Sequence, residues 1–362
     1  MRRWRSMERA TKDRGAPVFL GVDTHSDAHV GVALDGAGRC LGVRSVPNAE
    51  AGYAELLGWA MEFGALVAAG VEGTGSYGAG LSRFLRARDL RVLEVNRTSR
   101  QHRRRHGKHD AGDAEAAARQ VLAGETSGEP KGADGAAESL RALRVARRSA
   151  VKARTQAANQ LHALVSTAPE RLKASLRGLP TKRLAEKASR LRCVADLADP
   201  TAATRFALRS VARRHRALSE EIAELEVRIE RMAREAAPKL VALDGVGPDT
   251  AATLLVAAGD NPERLKSEAS FAHLCGAAPV PASSGKTVRH RLNSGGNRDA
   301  NRALHVVALN RLRREPRTQE YLARRTAEGK SKKEAMRCLK RYIARETYRA
   351  ILLDAGARVP PG

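Results

Sequence analysis

The sequence predicts an α+β chain in three parts: a mixed β-sheet flanked by helices, a long helical region, and a mostly helical, basic C-terminal part. Three observations carry this. Short apolar runs follow one another in a strand–helix order over residues 17–122. An unbroken three–four spacing of apolar residues runs from Leu208 to Met232. A Gly-Val-Gly-Pro turn at 245–248 separates two short helical patterns and is followed by basic helices.

After a basic arm (1–16) without the apolar stretch of a secretory signal, Val18–Asp23, His29–Leu34 and Arg39–Val46 read as strands, with turns at Gly36 and Gly38. A helix is expected over 49–63, an apolar strand over Ala65–Glu72, a helix over Tyr77–Arg88 and a strand over Arg91–Asn96. An Ala-rich helix follows over Lys108–Leu122. A hairpin start followed by crossovers is the way RNase-H-like (RuvC-type) domains begin, and it assigns 17–136 to one such domain. Its last stretch, the Gly-rich 124–136, reads as a linker or loop.

Residues 137–237 read as a helical coiled-coil region. Leu208, Val211, His215, Leu218, Ile222, Leu225, Ile229 and Met232 form a heptad seam. Such a seam fits a helix packed within its own domain or a coiled-coil hairpin that also dimerises. His215 within it reads as a register device. Pro238 ends the helix and opens the last domain, 238–362, where the Gly-Val-Gly turn resembles a helix-hairpin-helix able to offer amides to a DNA phosphate. Residues 271–292 read as loops around Pro279, Pro281 and Gly285.

The net charge of +25 over 362 residues makes a polyanion the default partner. The excess is clustered: residues 97–109 hold six basic side chains and no acid, and residues 141–192 hold 14 against two. With 12 aromatic residues the chain is too poor in rings for a base-stacking platform, so phosphate contacts are expected, which give affinity without sequence choice. Four dispersed cysteines with no C-x-x-C pair argue against a disulfide framework or zinc knuckle and fit a reducing cytoplasm. No apolar run is long enough to span a membrane.

Asp23 closes the first strand, Glu72 the fourth, and Asp110 and Asp113 share one helix face. Strand ends at one sheet edge with a helix across it can converge four carboxylates. Such a cluster needs cations, and Mg²⁺, a hard ion suited to carboxylate and phosphate oxygens, is the natural one. Asp27, Asp35 and Glu94 compete for the role. The basic run before Asp110, with Arg103, Arg104, Arg105 and Lys108, would supply a phosphate track. The formal G-x-G-x-x-G at Gly73–Gly78 loses its dinucleotide reading because three strands precede it. Gly285-Lys286-Thr287 lacks the earlier glycine of a P-loop. Farther on, Ser283 and Ser284 stand just before Lys286, Arg289 and Arg291, where a hydroxyl in a cationic setting can attack phosphorus.

The segments GVDTHSDAHVGVAL, VEGTGSYGAGLSRFLRARDLRVLEVNR, GKHDAGDAEAAARQVLAG, the Gly-Val-Gly turn and CGAAPVPASSGKTVRHRLNSGGNRDANRALH resemble, in that order, the DEDD-type insertion-sequence transposases. These are also termed bridge-RNA-guided recombinases. The resemblance runs from about Val18 to about Leu352. It implies a RuvC-like domain holding Mg²⁺ through Asp23, Glu72, Asp110 and Asp113, and a nucleophilic serine at Ser284, with Ser283 the fallback. It also implies donor and target DNA, a structured guide RNA and a homo-oligomer, dimer or tetramer. Base pairing would then read sequence while the protein holds backbones through residues such as Arg291 and Arg298. Ser26 stands where many relatives have Lys, and Ser294 where relatives often carry Arg. The expected function is DNA transposition through a phosphoserine intermediate. A Holliday-junction nuclease using carboxylates and water, and an inactive nucleic-acid-binding relic, are the alternatives.

Overall fold

The computed structural model describes residues 15–95, 109–126, 128–193, 198–281, 290–291 and 293–357, arranged in two compact units. The first comprises the chain to Gly135 together with Gly259–Lys266; the second comprises Ala136–Ala258 and Ser267 onward.

In the first unit β1 (Pro17–Thr24), β2 (Ala28–Asp35) and β3 (Cys40–Pro47) form an antiparallel meander, as the alternating apolar runs with short polar turns require. After α1 (Glu50–Glu62), β4 (Ala65–Glu72) pairs parallel with β1; after α2 (Ala79–Arg86), β5 (Val92–Val95) pairs parallel with β4. The order is β3-β2-β1-β4-β5, a mixed sheet compatible with an RNase H-like core. On one face Val18, Leu20 and Val22 of the sheet pack with Leu56 of α1 and with Leu81 and Leu85 of α2. On the other lies α3 (Asp110–Ala123), which starts at an N-cap, His109, whose Nδ1 accepts from the Gly112 amide. The helix expected over Tyr77–Arg88 is shorter at both ends, and the one expected over 108–122 begins at Asp110 and runs to Ala123.

The placement of α3 is set by glycine. Gly21 and Gly70 are register partners on β1 and β4, and a Cβ on Gly21 would collide with the Ala114 carbonyl and the Ala118 amide. A Cβ on Gly70 would press on Val121 and on the Ala117 carbonyl. The Ala-rich face of α3 thus sits almost on the sheet backbone. The Gly-rich stretch after α3 is tied down: Glu94 N donates to Gly128 O, and Asn261 bonds both Pro130 O and the Gly132 amide. This explains why 259–266 belongs with the first unit.

In the second unit α4 (Ala136–Thr167) and α7 (Pro200–Ala236) pack along their length, with α5 (Glu170–Leu176) and α6 (Thr181–Ser189) between them in sequence. The pairings Arg147–Glu226 and Arg214–Gln160 make the two long helices antiparallel. The seam faces this packing: Leu208, Ile222 and Ile229 are buried, and the intervening seam positions are half-buried. The heptad pattern is thus used within the unit, as a hairpin. Burial lowers the pKa of His215, with the Arg154 charge adding to the effect. Short α8 (Pro238–Val241), α9 (Pro248–Ala258) and α10 (Glu268–Leu274) follow. Where loops were expected, β6 (Val280–Pro281) and β7 (His290–Arg291) pair as a small ribbon, before α11 (Arg298–Arg314), α12 (Pro316–Ala327) and α13 (Lys332–Asp354). No helix among the described residues is long and apolar enough to cross a membrane.

Candidate active site

Parallel pairing of Val22 with Val71 leaves Asp23 and Glu72 at neighbouring strand ends. Thr24 Oγ1 donates to Glu72 O at 2.9 Å and ties the two ends together. Beyond Glu72 the chain turns sharply at Gly73, whose φ of +65° a side chain would strain, and the Gly73 carbonyl accepts from the Ser76 and Gly78 amides. The G-x-G-x-x-G pattern is therefore a tight turn that closes the strand.

Asp110 and Asp113 occupy the first turn of α3, where carboxylates also complement the helix dipole. The contact of α3 with Gly21 brings that turn to the edge where Asp23 lies. His25, in the β1–β2 turn, stands between the two elements: its Nε2 is 3.1 Å from Asp23 Oδ2 and 3.4 Å from Asp110 Oδ1. Asp23, His25 and Asp110 each present a ligand atom within 4.8 Å of the others, a set able to hold a metal ion. Glu72 acts on Asp23 through its charge, but neither Glu72 nor Asp113 belongs to that three-residue set. Burial raises the Asp23 carboxyl above its ordinary pKa; His25 opposes this, and the charges of Glu72 and Asp110 add to it.

His25 was absent from the carboxylate set read from sequence, although a histidine two residues after Asp23, just past the end of β1, was the signal on offer. Its turn is fastened from behind. Asn48 Nδ2 donates to Ser26 O at 3.0 Å and to His25 O at 3.3 Å, Tyr53 Oη donates to Asn48 Oδ1, and the fully buried His29 stacks on Tyr53. Of the competing acids, Asp35 accepts the Ala37 and Arg39 amides and so organises the β2–β3 turn.

In the second unit the ribbon β6–β7 flanks residues 282–289. Ser283, Ser284, Lys286 and Arg289 lie outside the described residues, as do Arg103, Arg104, Arg105 and Lys108 of the first unit. Arg291 is exposed on β7, and Arg298 is exposed at the start of α11. The base of the ribbon is held by asparagines: Asn293 Nδ2 donates to His273 O, Asn297 caps α11, and Asn301 Nδ2 donates to the Cys275 and Gly276 carbonyls. A Cβ on Gly296 would collide with the Gly276 backbone, so only glycine fits there. Asp244 and Gly245, at the entry to the Gly-Val-Gly turn, present their carbonyls to α11, where Arg311 Nε donates to Asp244 O and Asn310 Nδ2 to Gly245 O.

A transposase family model of the IS110 DEDD type matches residues 20–168, and a second model, described as the transposase IS116/IS110/IS902 family, matches residues 237–323. The chain belongs to the IS110 transposase family. The first match contains Asp23, Glu72, Asp110 and Asp113, and the second contains the Gly-Val-Gly turn, the two serines and Arg291. The chain is also similar to the insertion element IS110 uncharacterized 43.6 kDa protein of Streptomyces coelicolor, 32% identical over 152 residues. That stretch is 40% of this chain and spans 37% of the relative's length. Along the chain the match that contains the carboxylates comes first and the match that contains the serines second.

Proposed function

We propose that this IS110-family chain is a DNA transposase that cuts and rejoins strands through a phosphoserine, with Mg²⁺ as cofactor and a structured RNA as guide. The observation that carries the reading is the meeting of Asp23, Asp110 and His25 at one sheet edge inside the segment matched by the DEDD model. The donor set fits a divalent cation: Asp23 is buried beside like charges, a burden that a cation relieves. Asp23, Glu72, Asp110 and Asp113 would hold the ion, with His25 at the same edge. When bound, Mg²⁺ offsets the charge of the scissile phosphate and polarises it.

The serine supplies the covalent step. Ser284 Oγ attacks phosphorus, the Oγ–P bond forms as the P–O3′ bond breaks, and the proton ends on the released 3′ oxygen. The ester conserves the bond, so a 3′-hydroxyl of the exchanged strand can attack it and free Ser284 again. The clustered basic charge serves affinity, and pairing with a guide RNA supplies the sequence choice that phosphate contacts lack. Donor and target DNA, the RNA and a homo-oligomer are the partners of this reading.

The test is Asp110→Ala on a DNA substrate bearing the element's ends. Mg²⁺-dependent cleavage is expected to vanish while DNA and RNA affinity stay within a few-fold of wild type. Wild-type turnover by the variant overturns the carboxylate site.

A further inference from the structure

In the second unit a cleft of about 730 Å³ opens between the segment Gly276–Pro279, the ribbon strand His290–Arg291 and α13. Arg337, Lys340 and Arg341 line it from one face of α13, at the i, i+3, i+4 spacing that stacks side chains. Lys330 and Arg291 join them from the neighbouring segments. None of these five cations makes a direct ion pair with a described carboxylate, although the charges of Lys330 and Arg337 act on Glu334. The one acid in the lining, Glu334, is committed to the capping box of α13: its Oε2 accepts from Ser331 N at 2.9 Å and from Ser331 Oγ at 2.8 Å. Lys340 is half-buried and reaches Asn301 Oδ1 at 2.7 Å, the same asparagine whose amide holds the Cys275–Gly276 carbonyls. Burial lowers its pKa, and the Arg337 charge adds to this. So many cations facing one space repel one another, and a polyanion in that space removes the cost.

We propose that this cleft is a binding site for the phosphodiester backbone of a DNA strand, with Arg291, Lys330, Arg337, Lys340 and Arg341 as its phosphate contacts. The lining contains no Phe, Tyr or Trp and is dominated by cations, with His290 its one aromatic ring, so the backbone is the part recognised. One wall is backbone with small side chains, Gly276 to Ala278, which lets a strand approach closely. DNA is the occupant because β7 borders the cleft and directly follows, in sequence, the segment that holds Ser284. This assignment rests on the proposed strand-transfer function and adds a surface on α13 that lies about 50 residues beyond the serine in sequence.

The test is the double variant Arg337→Gln/Arg341→Gln, which leaves half-buried Lys340 in place. Its affinity for a labelled DNA duplex and for an RNA of the same sequence is measured across a salt series. Arg228→Gln/Arg231→Gln on α7 removes equal charge from exposed positions outside the cleft and serves as control. With an unchanged melting temperature, the cleft variant is expected to bind DNA at least about tenfold more weakly near 0.1 M salt and to lose about two units of salt slope. Three results overturn the cleft assignment: unchanged DNA affinity, an equal loss in the control, or a loss confined to RNA. DNA cleavage by the wild type is followed in parallel. Cleavage by the wild type beside unchanged DNA affinity in the variant removes the cleft and keeps the transposase reading. Loss of affinity in the variant beside a wild type that never cleaves does the reverse.

Discussion

Gly21 of β1 lies directly across from Gly70 of β4, and the two together form the bare patch of sheet on which α3 rests. Because Asp110 begins that helix, the missing side chains at two strand positions set how close it comes to Asp23. Gly21→Val would drive methyl groups into the α3 backbone, an overpacking cost of about 1–3 kcal/mol or more. The variant is expected to melt lower and to bind Mn²⁺ more weakly, read by thermal shift with and without the ion. A variant with wild-type stability and metal affinity would show that the glycines do not position α3.

Asp23 carries a raised pKa, so its contribution to stability is complete below the ordinary carboxylate value of about 4 and is lost as pH rises through the folded-state value. At neutral pH without metal its ionised form is a cost. Asp23→Asn is therefore expected to melt higher than wild type in metal-free buffer at pH 7, with the difference shrinking toward pH 4. Added Mg²⁺ should raise the wild type only. A variant that melts below wild type in metal-free neutral buffer contradicts the crowding of charge at this edge.

His29 is fully buried, with its ring stacked on Tyr53. Burial lowers its pKa, so its contribution is present above the ordinary histidine value of about 6.5 and is lost as pH falls below that. His29→Phe preserves a ring against Tyr53 and removes the titration. Its melting temperature is expected to fall less than that of the wild type between pH 6.5 and 5; matching acid limbs would remove His29 as the cause.

Leu208 is completely buried in the α4–α7 hairpin, whereas Val227, on the same helix, is 69% exposed. Leu208→Ala should cost about 2–5 kcal/mol, and Val227→Ser should stay within about 0.5 kcal/mol. Denaturant melts of the two variants check this. Equal effects would mean that the seam is not the packed face.

The strands were legible because apolar alternation and Gly turns leave a strong local signal, and Asp23 and Glu72 follow from where those strands stop. The seam of α7 was legible for the same reason. What escaped was non-local. Asn261 returns to bond Pro130 and Gly132 through single contacts that have no period. His25 became part of the site only once α3 was laid on Gly21. The cationic cleft joins Arg291 to α13 across a stretch that reads only as basic helices. The two-residue strands β6 and β7 are too short to show alternation, so their span read as loop.

The most direct test of the phosphoserine account is a search for the covalent intermediate. Wild-type protein incubated with Mg²⁺, guide RNA and end-bearing DNA is denatured and resolved, with and without protease, and the adduct is mapped by mass spectrometry. The account expects a protease-sensitive protein–DNA ester on Ser284, absent from Ser284→Ala, which still binds DNA. Cleaved DNA with no adduct, together with full activity in Ser284→Ala, would contradict it and leave a water-using nuclease in its place.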